Sequence, residues 1–226
     1  MNDLKIDWCD HKAASYACIN WHYSGVIPVG KLVKVGVWEG GKFIGCVLFG
    51  RGANKGLGSP FGLDQTEVCE LVRIALTKHS APVSRIMMLA IKFLKRSSKG
   101  IKLIVSFADT EQGHHGGIYQ ATNWIYNGQT KPADEYLYEG KKWHGRAFRK
   151  SKGSHLKYID KGLEIIKGSS KHRYLMPLTA ELKSKLDENK LKYPKRVTKA
   201  ISGDQSESGG AIPTYTLHTS NDLSNG

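Results

Sequence analysis

Residues 68–109 read "VCELVRIALTKHSAPVSRIMMLAIKFLKRSSKGIKLIVSFAD". Its opening, 68–76, predicts a strand: Val68, Leu71, Ile74 and Leu76 do not alternate, as expected when both faces are covered. Pro82 stands where a helix can begin. After it, Val83, Ile86, Met87, Ala90, Ile91 and Leu94 recur at three-and-four spacing and make one apolar stripe. Lys92, Lys95 and Arg96 lie toward the C-terminal end of this helix, where cations offset its dipole. Residues 101–108 then predict a short buried strand that ends at Asp109. Upstream, residues 32–50 read as a hairpin turning at Gly40-Gly41, and downstream residues 117–126 read as a second helix. The order hairpin, strand, helix, strand, helix predicts an α/β domain, with a ligand crevice where the central strands end.

The 226 residues suffice for one domain and an extension. No apolar run approaches the ~20 residues of a membrane span. The polar start "MNDLKIDWCDHK" is unlike a signal peptide, so a cytoplasmic location in whatever cell makes the protein is expected. Cys9, Cys18, Cys46 and Cys69 contain no CxxC pair and read as reduced thiols. The net charge of +14 is uneven: residues 140–200 hold 18 Lys and Arg against 5 Asp and Glu. Such a block suits a polyanion, nucleic acid foremost, and as a bland alternative a solvated lysine-rich surface. Three divisions are expected: a first domain over 1–150, a basic C-terminal extension over 151–200 packed on it or contacting DNA, with helical patches such as "TAELKSKLDENKLK", and a disordered tail over 201–226, poor in charge and rich in Ser, Gly and Asn.

Asp109, at the end of an inner strand, points a carboxylate toward the crevice or serves as a loop acid. His114 and His115 precede Gly116-Gly117 in a turn that reads first as hydrated, and Tyr119, Asn123 and Tyr126 read first as packing residues on one helix face. Arg73, in a buried strand, needs an acid or an anionic ligand, Glu70 being one candidate. The turn 79–84, His79 to Ser84, lacks the glycines of a phosphate loop. His22 and Tyr23 of "INWHYSG" supply an imidazole and a phenol that, with a carboxylate, are the donor types of a non-haem iron site.

The blocks "NWHYSG", "FGRGAN", "EVCELVRIALTKHSAPVSR", "VSFADTEQGHHGGIYQATNWIYNG" and "KHRYLMPL" occur in one order over residues 19–200, and on them the chain resembles the Mom DNA-modification family of bacteriophages. The resemblance implies a fold related to GCN5-type N-acetyltransferases, a central mixed sheet flanked by helices. It implies conversion of adenine in double-stranded DNA to N6-(carbamoylmethyl)adenine, which shields phage DNA from restriction. It also implies iron at His22, Tyr23 and Asp109, and roles in activity and donor binding for Arg73, Ser84 and Tyr119. The glycine-poor turn argues against acetyl-CoA, and the carbamoylmethyl donor is not identified.

Adenine N6 is a poor nucleophile because its lone pair is delocalised into the ring, so a metal-activated donor is chemically reasonable. The base is expected to flip out of the duplex, with Trp124 or Trp143 as stacking platforms. Lys141, Lys142, Arg146 and Arg149, interleaved with Trp143 and Phe148, are expected to hold DNA phosphates. Two rival readings are an acetyl-CoA-dependent N-acetyltransferase of protein or small amines, and a DNA-binding protein without catalysis.

Overall fold

The computed structural model describes residues 3–52 and 55–195. It contains ten strands and five α-helices among these residues. The elements run β1 (Leu4–Trp8), α1 (His11–Trp21), β2 (Leu32–Glu39), β3 (Lys42–Gly50), β4 (Val68–Leu76), α2 (Val83–Ser97) and β5 (Leu103–Asp109). Then come α3 (Gly117–Gln120), β6 (Ile125–Gln129), β7 (Asp134–Tyr138), β8 (Lys141–His144), α4 (Gly145–Lys152), β9 (Glu164–Lys167), β10 (Lys171–Pro177) and α5 (Ala180–Asp187).

Local signals account for several boundaries. The Asp10 carboxylate accepts from Ala13 N at 2.7 Å and caps α1, and Thr179 caps α5 through Leu182 N. Gly40 and Gly41 both take positive φ in the two-residue turn between β2 and β3. The apolar stripe of α2 is buried at Ile86, Met87, Ala90, Ile91 and Leu94, and its last turn carries Lys95 and Arg96.

Seven strands form one sheet in the order β1-β2-β3-β4-β5-β10-β6. One face packs on α2: Val35, Val37, Val47, Phe49 and Leu71 meet Ile86, Met87, Ala90 and Leu94. On the other face Ala14, Ala17 and Cys18 of α1 cover Cys46, Leu48 and Ala75, while Leu182 of α5 covers Leu103, Val105 and Leu175. β4 is therefore covered on both sides, as its lack of alternation predicts. All four cysteines are free thiols.

The feature that makes a site is the join between β4 and β5. They pair in parallel only at Val68–Leu103, Cys69–Ile104 and Glu70–Val105. Beyond Glu70, β4 stays with β3 and β5 stays with β10, so the two strands part and leave a cleft between 71–74 and 107–109.

Two expectations need correction. The segment 117–126 is not one helix: α3 ends after one turn, Asn123 adopts φ +58°, and Ile125 opens β6. Tyr126 faces Tyr174 across the β6/β10 pair, a longer-range attraction than the helical spacing could register. Nor, among the described residues, does a boundary fall at residue 150: residues 151–195 belong to the same compact unit as those before them. β10 inserts between β5 and β6, and the compact unit runs to Lys195. The chain between β6 and β10 leaves the large sheet and builds a second one, in the order β8-β7-β9, with its own core of Tyr136, Tyr138, Phe148 and Leu163. The tail expected at 201–226 lies outside the described residues.

Candidate active site

The parting of β4 and β5 opens a cavity of about 260 Å³. His22 and Tyr23 reach it from the end of α1, Arg73 from β4, Asp109 from β5, His114 from the following loop and Tyr119 from α3. Glu70 and Lys171 complete its polar lining. His22, Tyr23, Arg73, Asp109 and Tyr119, distant in the sequence, thus share one cavity. Ser84 does not line it: the residue sits half-buried in the first turn of α2.

Three polar groups in the cleft have a definable state: His22, Asp109 and Tyr119. Burial pushes the His22 imidazole down to about 4, reinforced by the nearby Arg73 guanidinium and by His114, so the ring is neutral near pH 7. Ser24 presents its hydroxyl 2.9 Å and its N–H 3.1 Å from His22 Nδ1. Because the Ser24 N–H donates to Nδ1, the neutral ring carries its proton on Nε2, and ligation through Nε2 would require the other tautomer, with Nδ1 donating to Ser24 Oγ and the N–H contact given up. The Tyr23 ring lies 4.2 Å from that of His22 and edge-on to His114, and is 62% exposed.

Asp109 is ionised. Burial alone would raise its pKa, but Lys171 Nζ at 2.7 Å, the Glu111 N–H and the Ser169 hydroxyl together hold it below the usual carboxylate value. Lys171 is the register partner of Asp109 across β5/β10, a pairing no short motif announces. Tyr119 is nearly buried, and burial lifts its phenol to about 12. Ser106 Oγ donates to Leu71 O at 2.9 Å, so at 2.8 Å it accepts the Tyr119 hydroxyl proton. Tyr119 therefore stands as a neutral, committed donor stacked on Tyr174 and edge-on to Trp124. Gly116, at φ +82°, makes the turn into α3; a Cβ there would run into the Tyr174 ring.

An imidazole, a phenol and a carboxylate on one cavity wall are a chemically suitable donor set for iron. Among the described residues no three His, Cys, Asp or Glu side chains stand close enough to hold a metal, so such a site depends on the Tyr23 phenolate and on Asp109 exchanging Lys171 for the ion.

The turn before α2, where a coenzyme pyrophosphate would rest on backbone amides, is already filled from within. Glu39 accepts from Ser80 N and Ala81 N, both at 2.9 Å. Of the residues expected to hold DNA, Lys141, Lys142, Arg146 and Arg149 are exposed on β8 and α4. Lys142 bridges Glu111 at 2.9 Å and Glu135 at 2.8 Å, which commits its ammonium to two carboxylates. The two tryptophans also need correction as stacking platforms. Trp124 is fully buried in the main core, while Trp143 packs partly against the small core with Lys141 4.4 Å above its ring.

A mixed sheet that opens between two parallel strands, with helices on both faces, defines the class: this is the fold of GCN5-type N-acetyltransferases. The solved structures it resembles include an acetyltransferase of Bacillus subtilis in complex with CoA, at 11% identity and TM-score 0.45, covering 79% of this chain and 100% of that one. Spermidine/spermine N-acetyltransferase of Vibrio cholerae, in complex with manganese ions, aligns at 9% identity and TM-score 0.45, over 80% of this chain and 96% of its own. No curated protein matches the sequence significantly. The sequence model of the Mom protein family matches residues 3–195, and the chain belongs to that family. Membership of that family points to phage DNA modification. Among the described residues no helix is long and apolar enough to cross a membrane.

Proposed function

We propose that the chain converts adenine in double-stranded DNA to N6-(carbamoylmethyl)adenine and so protects phage DNA from host restriction. The observation that carries this reading, within the family, is the meeting of His22, Tyr23, Arg73, Asp109 and Tyr119 around one cavity where the sheet opens. A flipped adenine would enter the cleft edge-first. N6 loses one proton as its bond to the donor CH2 carbon forms, while that carbon's bond to its leaving group breaks and the leaving group departs with the electron pair; the Glu70 carboxylate lies on the same wall to take the proton. Arg73 offers guanidinium N–H groups to a carbonyl or anionic group of the donor, consistent with its buried Nε lacking a protein partner among the described residues. Tyr119 fixes the wall through Ser106. Iron held by His22, Tyr23 and Asp109 would supply Lewis-acid and redox activation of the donor. Ser84, away from the cavity, would act on the donor only from a distal position at the start of α2.

DNA would be gripped through Lys141, Arg146 and Arg149, with Lys142 weakened by its two acids. The second reading, acetyl transfer from acetyl-CoA to protein or small amines, is favoured by the fold. Glu39 opposes it, because its carboxylate takes two amides that a pyrophosphate would need and would repel that anion.

The test is to digest DNA from expressing cells and weigh its nucleosides. The proposal predicts a deoxyadenosine species heavier by CH2CONH2 replacing hydrogen. Unmodified deoxyadenosine together with tight acetyl-CoA binding by calorimetry would establish the second reading instead.

A further inference from the structure

Beside the cleft lies a second groove, of about 350 Å³, that shares Glu70, Phe107 and Lys171 with the first cavity. Its other walls include Arg173 from β10, Arg146 from α4 of the small sheet, and Thr130. Arg173 is the informative residue. Its guanidinium is half-buried in the large sheet, Nη2 donates to Asn127 O at 3.3 Å, and its buried Nε has no hydrogen-bond partner. No carboxylate forms an ion pair with it among the described residues. A desolvated guanidinium without a counter-charge is costly unless an anion completes it.

The remaining charges set the kind of anion. Lys171 already meets Asp109, so the positive charge without an ion-pair partner among the described residues comes from Arg173, and the Arg146 side chain lines the same groove. Two guanidinium forks facing one groove match the oxygens of a phosphate group. The groove adjoins the cleft through three common residues, so a phosphate here would lie next to whatever occupies the cleft.

We propose that Arg173 and Arg146 form a phosphate subsite, and that the phosphate is the DNA backbone group next to the adenine being modified. The proposal rests on the DNA-modification reading above. A phosphate on the small-molecule donor has the same chemistry, and the test separates the two sources.

The experiment measures fluorescence anisotropy of the full chain with a labelled duplex carrying a mismatched, easily flipped adenine, across a salt series. Arg173→Gln, and separately Arg146→Ala, should each weaken duplex binding roughly tenfold and flatten the slope of log affinity against log salt by about 0.9, one phosphate contact. Thermal unfolding verifies that each variant is folded, and Arg146→Ala, on an exposed helix, carries the test alone if Arg173→Gln does not fold. Unchanged affinity and slope in a folded variant overturn the subsite. Loss of coenzyme A binding with duplex binding intact overturns the backbone assignment. If the wild-type chain binds no duplex, the DNA reading itself fails. The subsite is then judged with inorganic phosphate: a thermal shift lost in Arg173→Gln supports it, and no shift overturns it.

Discussion

In the cleft of the large sheet, Asp109, Tyr119 and His22 each commit hydrogen-bonding capacity to named neighbours, namely Lys171, Ser106 and Ser24. On the small sheet, Lys141, Arg149 and Lys150 stand exposed over a core made mainly of rings: Tyr136, Tyr138 and Phe148, with Trp143 and Tyr158 at its edge. The first region holds few groups in fixed protonation states, which is what bond-making needs. The second spreads positive charge on a rigid base, which is what a sequence-blind grip on a backbone needs. On the proposed function, bond-making would belong to the cleft of the large sheet and most of the backbone grip to the small sheet, so substitutions can separate them.

The largest effect is expected from Phe148→Ala. It empties the centre of the small core and should cost roughly 3–5 kcal/mol there. Hydrogen exchange should then rise in β7 and β8 before it rises in β4 and β5; uniform loss across both sheets would break the distinction. Next in size, Gly116→Ala forces a Cβ into the Tyr174 ring at a positive φ and should cost about 2–4 kcal/mol, read as a fall in Tm. It strikes the cleft wall, so modification should suffer more than DNA binding. Replacing Lys141, Arg146 and Arg149 together with Ala should weaken duplex binding for all sequences alike, by roughly ten- to a hundredfold, and lower the salt slope by about 3. Adding Lys142→Ala should change binding little, because that ammonium already serves Glu111 and Glu135.

The smallest effect concerns acid. His172 is buried beside Tyr126, whose hydroxyl lies 2.9 Å from Nδ1. Burial first, then His115, holds its pKa below the ordinary value. The folded state thus binds fewer protons than the unfolded chain. The stability it contributes is whole above about pH 6.5 and is lost as pH falls below that value. A Tm series from pH 7.5 to 5 should slope downward on the acid side, and His172→Asn should lessen the slope, leaving the part that belongs to His22.

How legible each region was in the sequence follows from the range of its contacts. The stripe on α2, the hairpin and the strand ending at Asp109 rest on local spacing, and they appear in the fold as read. β10 was missed because "KHRYLMP" mixes charge with apolar residues, and because its partner β5 lies more than sixty positions away. β7, β8 and β9 are only four or five residues long, too short to carry a periodic signal. In the cleft, His22, Tyr23 and Asp109 came from resemblance and residue type. Lys171 and Ser106 carry no local signal, since each acquires its role only through cross-strand register or through a contact with α3. The buried Trp124 shows the converse: ring identity suggested a stacking surface, and packing decided otherwise.

The most direct measurement compares cells expressing the wild-type chain with cells expressing Asp109→Ala, reading two quantities from each: nucleoside mass in the cellular DNA, and duplex affinity of the purified protein. The account predicts that Asp109→Ala removes the heavier deoxyadenosine at least a hundredfold while duplex affinity stays within about twofold, as for a group acting only in the reaction. Persistence of the modified nucleoside, or loss of DNA binding in step with it in a folded variant, would contradict the division of labour between the two sheets.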